Sequence, residues 1–381
     1  MNDIWVVELR RPAELAFAVI AVGAVVLLVL ETVYLVIFTV FVARSTRERP
    51  QRRQKSVVKH VAVTLLTVLA AGPALAQSDH RPRTPVGLDE YFPVPDDNPL
   101  SSAMVALGKR LFFDPLLSLD RTLSCASCHR PAQAFADSTP RSRGVGEQET
   151  RRNAPSILNR AYGQSLFWDG RARSLEEAVV QPIENPAEMA LSLAALVARL
   201  QRDRGYRAEF TRAFPDSVSA PNVARALATY VRTLRSGDAP VDRYLRGARS
   251  ALPAEAQAGM RLFNGKANCV TCHVGPIFSD EKFHNTGVSW GLGDTGRQSA
   301  TGNEEDRGKF KVPSLRNAAL TAPYMHDGSI ATLEAVIEFY DRGGTPNPNR
   351  DPEVHALGFT ALEKRALLAF LKSLTGEVPR R

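Results

Sequence analysis

Cysteine is scarce in this sequence: its 381 residues include only four. Together with the histidines that follow them, the cysteines form two Cys-x-x-Cys-His motifs, made up of Cys125, Cys128, His129, Cys269, Cys272 and His273. No cysteine is left over for a disulfide, which excludes a small secreted fold held together by disulfides.

A concentrated positive charge is also missing. The formal net charge is +8, but residues 1–76 hold nine Lys or Arg against five Asp or Glu. That segment therefore accounts for +4 and leaves +4 for the other 305 residues. Because the charges of residues 77–381 are nearly balanced, the sequence shows no evident basic surface for binding phosphates. No nucleic-acid partner is therefore expected.

Sustained alternation of apolar and polar residues, the pattern of a half-buried strand, is absent. Apolar residues instead recur at three-to-four spacing in three segments, residues 192–200, 222–234 and 254–263. Thr360 and Glu363 form a capping box that predicts a last helix through Leu371. Residues 138–153 and 285–308 contain glycine or proline and read as long loops. The predicted fold class is mainly α.

The N-terminal part is predicted to direct the chain to or across a membrane rather than to form a folded domain. Residues 13–42 are almost continuously apolar and, at about 1.5 Å per residue, are long enough to span a membrane. A basic stretch at 44–59 predicts a cytoplasmic loop. The apolar run 61–76 ends in an Ala-x-Ala pattern typical of a Sec-type signal peptide. Residues 77–381 are thus expected in the periplasm, either cleaved or tethered to the inner membrane through residues 13–42.

An internal repeat divides the exported part. Gly108-Lys-Arg-Leu-Phe112 precedes the first Cys-x-x-Cys-His motif, and Gly259-Met-Arg-Leu-Phe263 precedes the second. A boundary is expected near residues 236–240. The predicted organisation is therefore a transmembrane segment and a signal-like segment within residues 1–76, followed by domains at 77–238 and 239–381.

In an exported chain, Cys-x-x-Cys-His indicates covalent c-type heme, with two thioether bonds and the histidine as iron ligand. A zinc site of four cysteines would leave both histidines unexplained. The sixth ligands decide the function, because a saturated iron only transfers electrons whereas an open one binds peroxide or oxygen. Spacing alone offers Met189 and Met325, which equally suit a packed core.

Several further stretches carry a family resemblance: Arg152-Asn-Ala-Pro-Ser156, Phe167-Trp-Asp-Gly-Arg171, Asn185-Pro-Ala-Glu-Met189, Val312-Pro-Ser-Leu-Arg-Asn317, Ala322-Pro-Tyr-Met-His-Asp-Gly328 and Phe339-Tyr-Asp-Arg-Gly-Gly344. With the two heme motifs, they make residues 100–375 resemble the bacterial diheme cytochrome c peroxidases, in particular their MauG-like branch. The resemblance implies two cytochrome c-like domains, each with one heme.

The resemblance also implies roles around the first heme. The heme on His129 matches the peroxide site with an open face. Glu188 matches the carboxylate that acts as general acid and base, and Pro182 matches a proline that lines the same pocket. Trp168 matches the tryptophan between the two hemes.

For the second heme, the family's sixth ligand lies 14 residues beyond the histidine of the Pro-Tyr-x-His-Asp-Gly motif. Counting from His326 gives Tyr340, which matches the MauG-like branch and displaces Met325 as the ligand. An anionic phenolate favours ferric and higher oxidation states.

The resemblance further implies an interdomain calcium ion, whose ligands match Asn153, Thr321 and Pro323. An amide oxygen and backbone carbonyls are suitably hard ligands for calcium. His284 and His326 lie in family motifs and are interpreted as hydrogen-bonding groups near a heme propionate or the calcium site.

The chain also departs from the family pattern. Residues 130–168 contain no histidine that could block the first iron, which predicts a five-coordinate heme. Ala178 replaces a pocket glutamine, although Gln181 lies nearby. Lys266 and its neighbours replace the surface tryptophan of the branch, so maturation of methylamine dehydrogenase is not supported.

The resulting hypothesis is a periplasmic diheme peroxidase. It reduces hydrogen peroxide with electrons from a small cytochrome c or cupredoxin, or from an oxidisable substrate. Two alternatives stay open: a non-catalytic electron-transfer cytochrome with both irons saturated, and an enzyme that oxidises an unknown protein substrate.

Overall fold

The computed structural model describes residues 83–288, 290–291 and 293–379, which belong to one compact unit spanning Gln77–Arg381. Its regular structure is mainly helical. The helices are α1 (Ser102–Phe113), α2 (Cys125–Cys128), α3 (Leu175–Glu184), α4 (Leu193–Arg202), α5 (Arg204–Ala213), α6 (Ala220–Thr233), α7 (Pro240–Leu245), α8 (Ala254–Asn264), α9 (Gln298–Thr301), α10 (Leu333–Asp341) and α11 (Ala361–Lys372).

Short 3-10 turns connect these helices, at Pro115–Leu117, Pro131–Gln133, Val145–Glu147, Arg160–Tyr162, Arg249–Ala251, Cys269–Thr271, Glu304–Asp306 and Ala318–Leu320. The described residues form only two strands, β1 (Phe283–His284) and β2 (Phe310–Lys311), which pair antiparallel. The prediction of a mainly α fold without sustained strands is confirmed.

The helices predicted from apolar spacing are present as α4, α6 and α8, and the capping box opens α11. The hydroxyl of Thr360 accepts a hydrogen bond from the Glu363 amide, and the Glu363 carboxylate accepts one from the Thr360 amide. These reciprocal bonds satisfy two donors that a helix start leaves unpaired. The start of α11 therefore follows from local sequence.

The first copy of the repeat marks a helix crossing. Gly108 lies on α1 where α6 passes over it, and a Cβ atom on Gly108 would lie 1.9 Å from the carbonyl oxygen of Ala226. Phe112, one turn later, packs against Tyr230 with ring centroids 5.2 Å apart. Only glycine lets the two backbones approach this closely.

The second copy builds the same crossing from α8 and α11. A Cβ atom on Gly259 would lie 1.9 Å from the carbonyl oxygen of Ala366. Phe263 packs against Phe370 with ring centroids 5.0 Å apart. The repeated Gly-x-Arg-Leu-Phe motif therefore encodes one packing arrangement twice, and each copy precedes a Cys-x-x-Cys-His motif.

Two hydrophobic cores accompany the two crossings. The first surrounds Leu107 and Leu111 of α1 and includes Phe210 of α5. The second surrounds Phe263 and Phe370 and extends to Leu374. Each core packs against the first cysteine of its own motif, so the motifs sit at the edge of the packed interior.

No helix within residues 83–379 is long and apolar enough to cross a membrane. The predicted span at 13–42 and the signal-like segment at 61–76 lie outside the described residues.

Candidate active site

The first Cys-x-x-Cys-His motif forms the short helix α2, with His129 directly after it. The ring Nδ1 of His129 lies 3.1 Å from the backbone oxygen of Phe135. A carbonyl can only accept, so Nδ1 carries the proton and Nε2 keeps its lone pair. Burial also lowers the pKa of His129, which keeps the imidazole neutral and able to ligate a metal.

The second motif repeats this arrangement. His273 follows the turn Cys269–Thr271, and its Nδ1 lies 2.9 Å from the backbone oxygen of Phe278. Burial lowers the pKa of His273 as well. Burial raises the pKa of the Cys269 thiol to about 12, and that of Cys125 likewise to about 12. Both motifs thus present protonated thiols and an oriented, neutral imidazole.

A cavity of about 730 Å³ opens beside the first motif. Both cysteines and His129 lie in its wall, which is otherwise mostly apolar. This volume is in the range of cofactor sites. Within the described part of the chain, His129 is the only histidine in that wall. Thiols, imidazole and an apolar cavity together fit a covalently bound heme.

Glu188 lies in the wall of the same cavity, with Pro182 of α3 and Met189. Its Oε1 accepts a hydrogen bond from Nδ2 of Asn185 at 2.6 Å. Burial raises the pKa of Glu188, although the Asn185 bond and the charge of Arg171 lower it in part. A carboxylic acid with a raised pKa is suited to proton transfer near neutral pH.

Trp168 also lies in the wall of this cavity, and hydrogen bonds and a ring contact fix its position. Its Nε1 donates to the backbone oxygen of Asn153 at 2.9 Å. Its own carbonyl accepts from the Lys311 amide of β2 at 2.8 Å. The indole also meets the ring of His326 edge-on, with centroids 6.4 Å apart. Trp168 is therefore held by segments from both halves of the sequence.

The three predicted calcium ligands, Asn153, Thr321 and Pro323, all border this cavity. Nδ2 of Asn153 donates to the Thr139 carbonyl at 3.0 Å, which orients the side chain and leaves its amide oxygen as an acceptor. Among the described residues, no group of three or more His, Cys, Asp or Glu could hold a metal ion.

Tyr340 lies near the end of α10 and close to the second motif. Burial raises the pKa of its phenol to about 12, a hydrogen bond with Thr286 lowers it, and Cys269 and Cys272 add to the rise. The phenol therefore lies close to both cysteines of the second motif. Met325, in contrast, lines the cavity that contains His129.

The two remaining motif histidines have different surroundings. His284 lies between two carboxylates: its Nε2 is 3.3 Å from Asp280, and its Nδ1 makes a short contact with Asp351. His326 is buried and stacks on Phe310 with centroids 3.5 Å apart. The backbone oxygen of His326 accepts from the Asn153 amide, so it adjoins a predicted calcium ligand.

Sequence reasoning missed Arg171 as a residue of this cavity. Its Nε donates to Gln181 at 2.9 Å, its Nη1 lies 3.1 Å from both oxygens of Asp169, and its guanidinium covers the Phe167 ring. Gln181 thus orients an arginine whose charge acts on Glu188. The only sequence signal was the position of Arg171 at the end of a family motif.

A second missed group joins distant parts of the chain. Arg152 binds Asp294 through Nε and Nη2, at 2.7 and 2.8 Å, and binds Asp169 through Nη1 at 2.6 Å. These bonds fasten the 285–308 loop next to the cavity, where Ser299 forms part of the wall. No local pattern marks such a pairing.

Comparison with known proteins agrees with this site. A family model described as di-haem cytochrome c peroxidase matches residues 102–250. The chain is 43% identical to the methylamine utilization protein MauG of Methylorubrum extorquens over 292 residues, which cover 76% of this chain and 82% of that protein. It is 37% identical to the cytochrome c551 peroxidase of Nitrosomonas europaea, over 75% of this chain and 84% of that protein.

Among solved structures, a MauG-like protein associated with microbial copper homeostasis superposes with a TM-score of 0.71 at 38% identity, covering 76% of this chain and 95% of that one. The matches to the MauG protein and to this structure each cover 76% of the chain, which is long enough to include both Cys-x-x-Cys-His motifs, and the diheme family implies two c-type hemes. The chain therefore belongs to the di-haem cytochrome c peroxidase and MauG family.

Proposed function

We propose that this chain is a periplasmic diheme oxidoreductase that reduces hydrogen peroxide at the heme held by Cys125, Cys128 and His129. The second heme is held by Cys269, Cys272 and His273. In this proposal, each heme belongs to its own cytochrome c-like domain, at residues 77–238 and 239–381. The duplicated helix crossing supports the two-domain organisation.

One observation carries the proposal: Glu188 shares a cavity with His129, and burial raises its pKa. A carrier protein has no need for a proton-transfer group beside its iron. No second histidine lies in the described wall of the cavity, so no described histidine there could block the iron; Met189 and Met325 do border the cavity, and an open iron requires that neither of them binds it.

The hemes, when bound, supply the iron at which peroxide is cleaved and a second store for the oxidising equivalents. Glu188 takes a proton from one peroxide oxygen and returns it to the other, so that this second oxygen leaves as water. Asn185 holds the carboxylate in place through its 2.6 Å hydrogen bond. Each turnover consumes two electrons and two protons and releases two waters.

Trp168 is proposed to connect the two halves electronically, since its indole borders the first cavity and its carbonyl binds β2. Tyr340 is proposed as the sixth ligand of the second iron. Its burial close to Cys269 and Cys272 supports this role, and the location of Met325 beside the first cavity speaks against the methionine alternative.

The proposed electron source is a small periplasmic cytochrome c or cupredoxin, or another oxidisable substrate. A calcium ion held by Asn153, Thr321 and Pro323 would stabilise the wall of the first cavity. Residues 13–42 remain a proposed inner-membrane tether, with a Sec-type signal at 61–76 as the alternative for release into the periplasm.

A second candidate function is oxidation of a protein substrate, which Tyr340 favours because a phenolate ligand stabilises the oxidised states of its heme. The third candidate function is non-catalytic electron transfer, in which Met189 would be a ligand of the first iron.

Anaerobic assays of peroxide consumption with reduced cytochrome c or cupredoxin separate these functions. A peroxidase oxidises two one-electron donors per peroxide. An enzyme dedicated to a protein substrate consumes peroxide beyond one equivalent only when that protein is added, and a carrier consumes none.

A further inference from the structure

Three charged side chains form a buried cluster between segments that are far apart in sequence. Nη1 and Nη2 of Arg160 each lie 2.8 Å from one carboxylate oxygen of Glu281. Nζ of Lys311 lies 3.1 Å from Oε1 of the same carboxylate. The side chains are at most one-tenth exposed, so solvent contributes little to their screening.

With Lys311 protonated, the three side chains together carry one more positive than negative charge. Although burial favours its neutral form, Arg160 and Lys311 hold the pKa of Glu281 below its ordinary value, so Glu281 contributes a single negative charge. Asp280 also attracts Lys311, but more weakly than Glu281 does, and it makes no ion pair with the ammonium group. Burial and the charge of Arg160 lower the pKa of Lys311 to about 7. A buried surplus charge is costly unless another group compensates it.

Two of these three side chains border the first cavity. Lys311 and Arg160 both form part of the cavity wall, whereas Glu281 does not. Lys311 is fixed there because its amide binds the Trp168 carbonyl and its strand pairs with β1. An ammonium group has three N–H donors, and Glu281 occupies one of them. Donors are therefore left for a group inside the cavity.

Arg160 plays a different part. Its Nη1 binds Glu281, and its Nη2 binds both Glu281 and the carbonyl of Ser165. Three of its five N–H donors are thus committed to protein acceptors, and the guanidinium adds positive charge at the cavity wall. The charge of Arg160 also lowers the pKa of Lys311, so a negative group beside Lys311 would favour its protonated form.

We propose that Lys311 binds a carboxylate inside the cavity, and that this carboxylate is a propionate of the first heme, with Arg160 reinforcing the positive potential. The inference rests on the heme-binding part of the proposed function. A porphyrin of this type carries two propionates, and one of them supplies the negative charge that the cluster lacks. Lys311 then binds and orients the cofactor, and takes no part in proton transfer to peroxide.

The test is the resonance Raman spectrum of the holoprotein, in which propionate bending bands report hydrogen bonding to these carboxylates. We expect Lys311→Met to shift a propionate band to lower frequency and Lys311→Arg to retain most of the native frequency. Lys309→Met is the matched control: Lys309 lies two residues away, pairs with Asp306 at 3.4 Å, and is not part of the cavity wall.

Unchanged propionate bands in Lys311→Met would overturn the proposal. This is also the result expected if Lys311 binds a free anion from solution instead of a propionate. If the methionine variant does not accumulate, Lys311→Gln provides a second neutral side chain for the same comparison. The result is independent of catalysis, because a holoprotein without peroxidase activity would still show the band shift. Failure of the peroxidase function and failure of this inference are therefore distinguishable.

Discussion

Asn185 donates a hydrogen bond from Nδ2 to Oε1 of Glu188 at 2.6 Å, in the wall of the cavity that contains His129. The bond fixes the direction of the carboxylate and stabilises its ionised form against burial. Glu188 is thus held in one orientation, with a pKa that burial raises and the Asn185 bond lowers in part.

Replacing Glu188 with glutamine tests its proton-transfer role. Glu188→Gln keeps the shape of the side chain but removes its ability to accept a proton, and we expect peroxide reduction to slow by roughly 10²–10⁴-fold. The control is Glu184→Gln, because Glu184 is exposed four residues earlier. Stopped-flow mixing with peroxide measures both rates. A loss of similar size in the two variants would show that the effect does not come from a proton-transfer role.

The Asn185 bond predicts a change in pH dependence. Glu188 must be ionised to accept a proton, so activity is present above its pKa and is lost as the pH falls through it. Asn185→Ala removes a hydrogen bond that favours the ionised form, and it therefore raises the pKa of Glu188. Because a hydrogen bond to a charged group contributes about 1.5 kcal/mol or more, the acid limb of kcat/KM should move up by about one pH unit. An acid limb at the wild-type pH would contradict this assignment.

Substitution of Tyr340 tests the proposed ligand of the second heme. Replacing an anionic phenolate with a neutral thioether stabilises the reduced iron, so Tyr340→Met should raise the reduction potential of one heme and leave the other unchanged. The oxidised variant should gain a near-infrared band of the methionine-to-iron type, which the native protein lacks. Tyr244→Phe is the control, since Tyr244 does not border the cavity and its hydroxyl binds Gln257 at 3.3 Å. Such a band in the native protein would contradict Tyr340 ligation.

The helix crossing at Gly259 predicts a large effect on stability. Gly259→Ala places a Cβ atom 1.9 Å from the Ala366 oxygen, so α8 and α11 must separate. We expect a loss of about 1–3 kcal/mol in the free energy of unfolding. In Gly205→Ala, the nearest atom is a side-chain oxygen of Asp203 at 3.1 Å, and the change should stay within about 1 kcal/mol. Denaturant titration measures both, and equal effects would show that the close crossing is not the cause.

Local sequence explains the helices well because apolar spacing and capping residues act within one or two turns. It also located both heme motifs, and the glycine repeat indicated that the chain is duplicated. The contacts of Arg160 with Glu281 and of Arg152 with Asp294 were not predicted, because they join residues 121 and 142 positions apart. Irregular loops carry these side chains, and the folding of such loops depends on the packing of the whole unit. The same reason explains why the partner of His284, Asp351, was not foreseen.

The most direct test is to mix the purified ferric holoprotein with one equivalent of hydrogen peroxide and follow the heme absorption by stopped flow. The account predicts a rapid spectral change, with stoichiometric consumption of the peroxide. The change should be lost at the first-heme site in the double variant Cys125→Ala/Cys128→Ala and should be slower in Glu188→Gln. A native spectrum that remains unchanged while peroxide persists in solution would contradict peroxide reduction and leave an electron carrier.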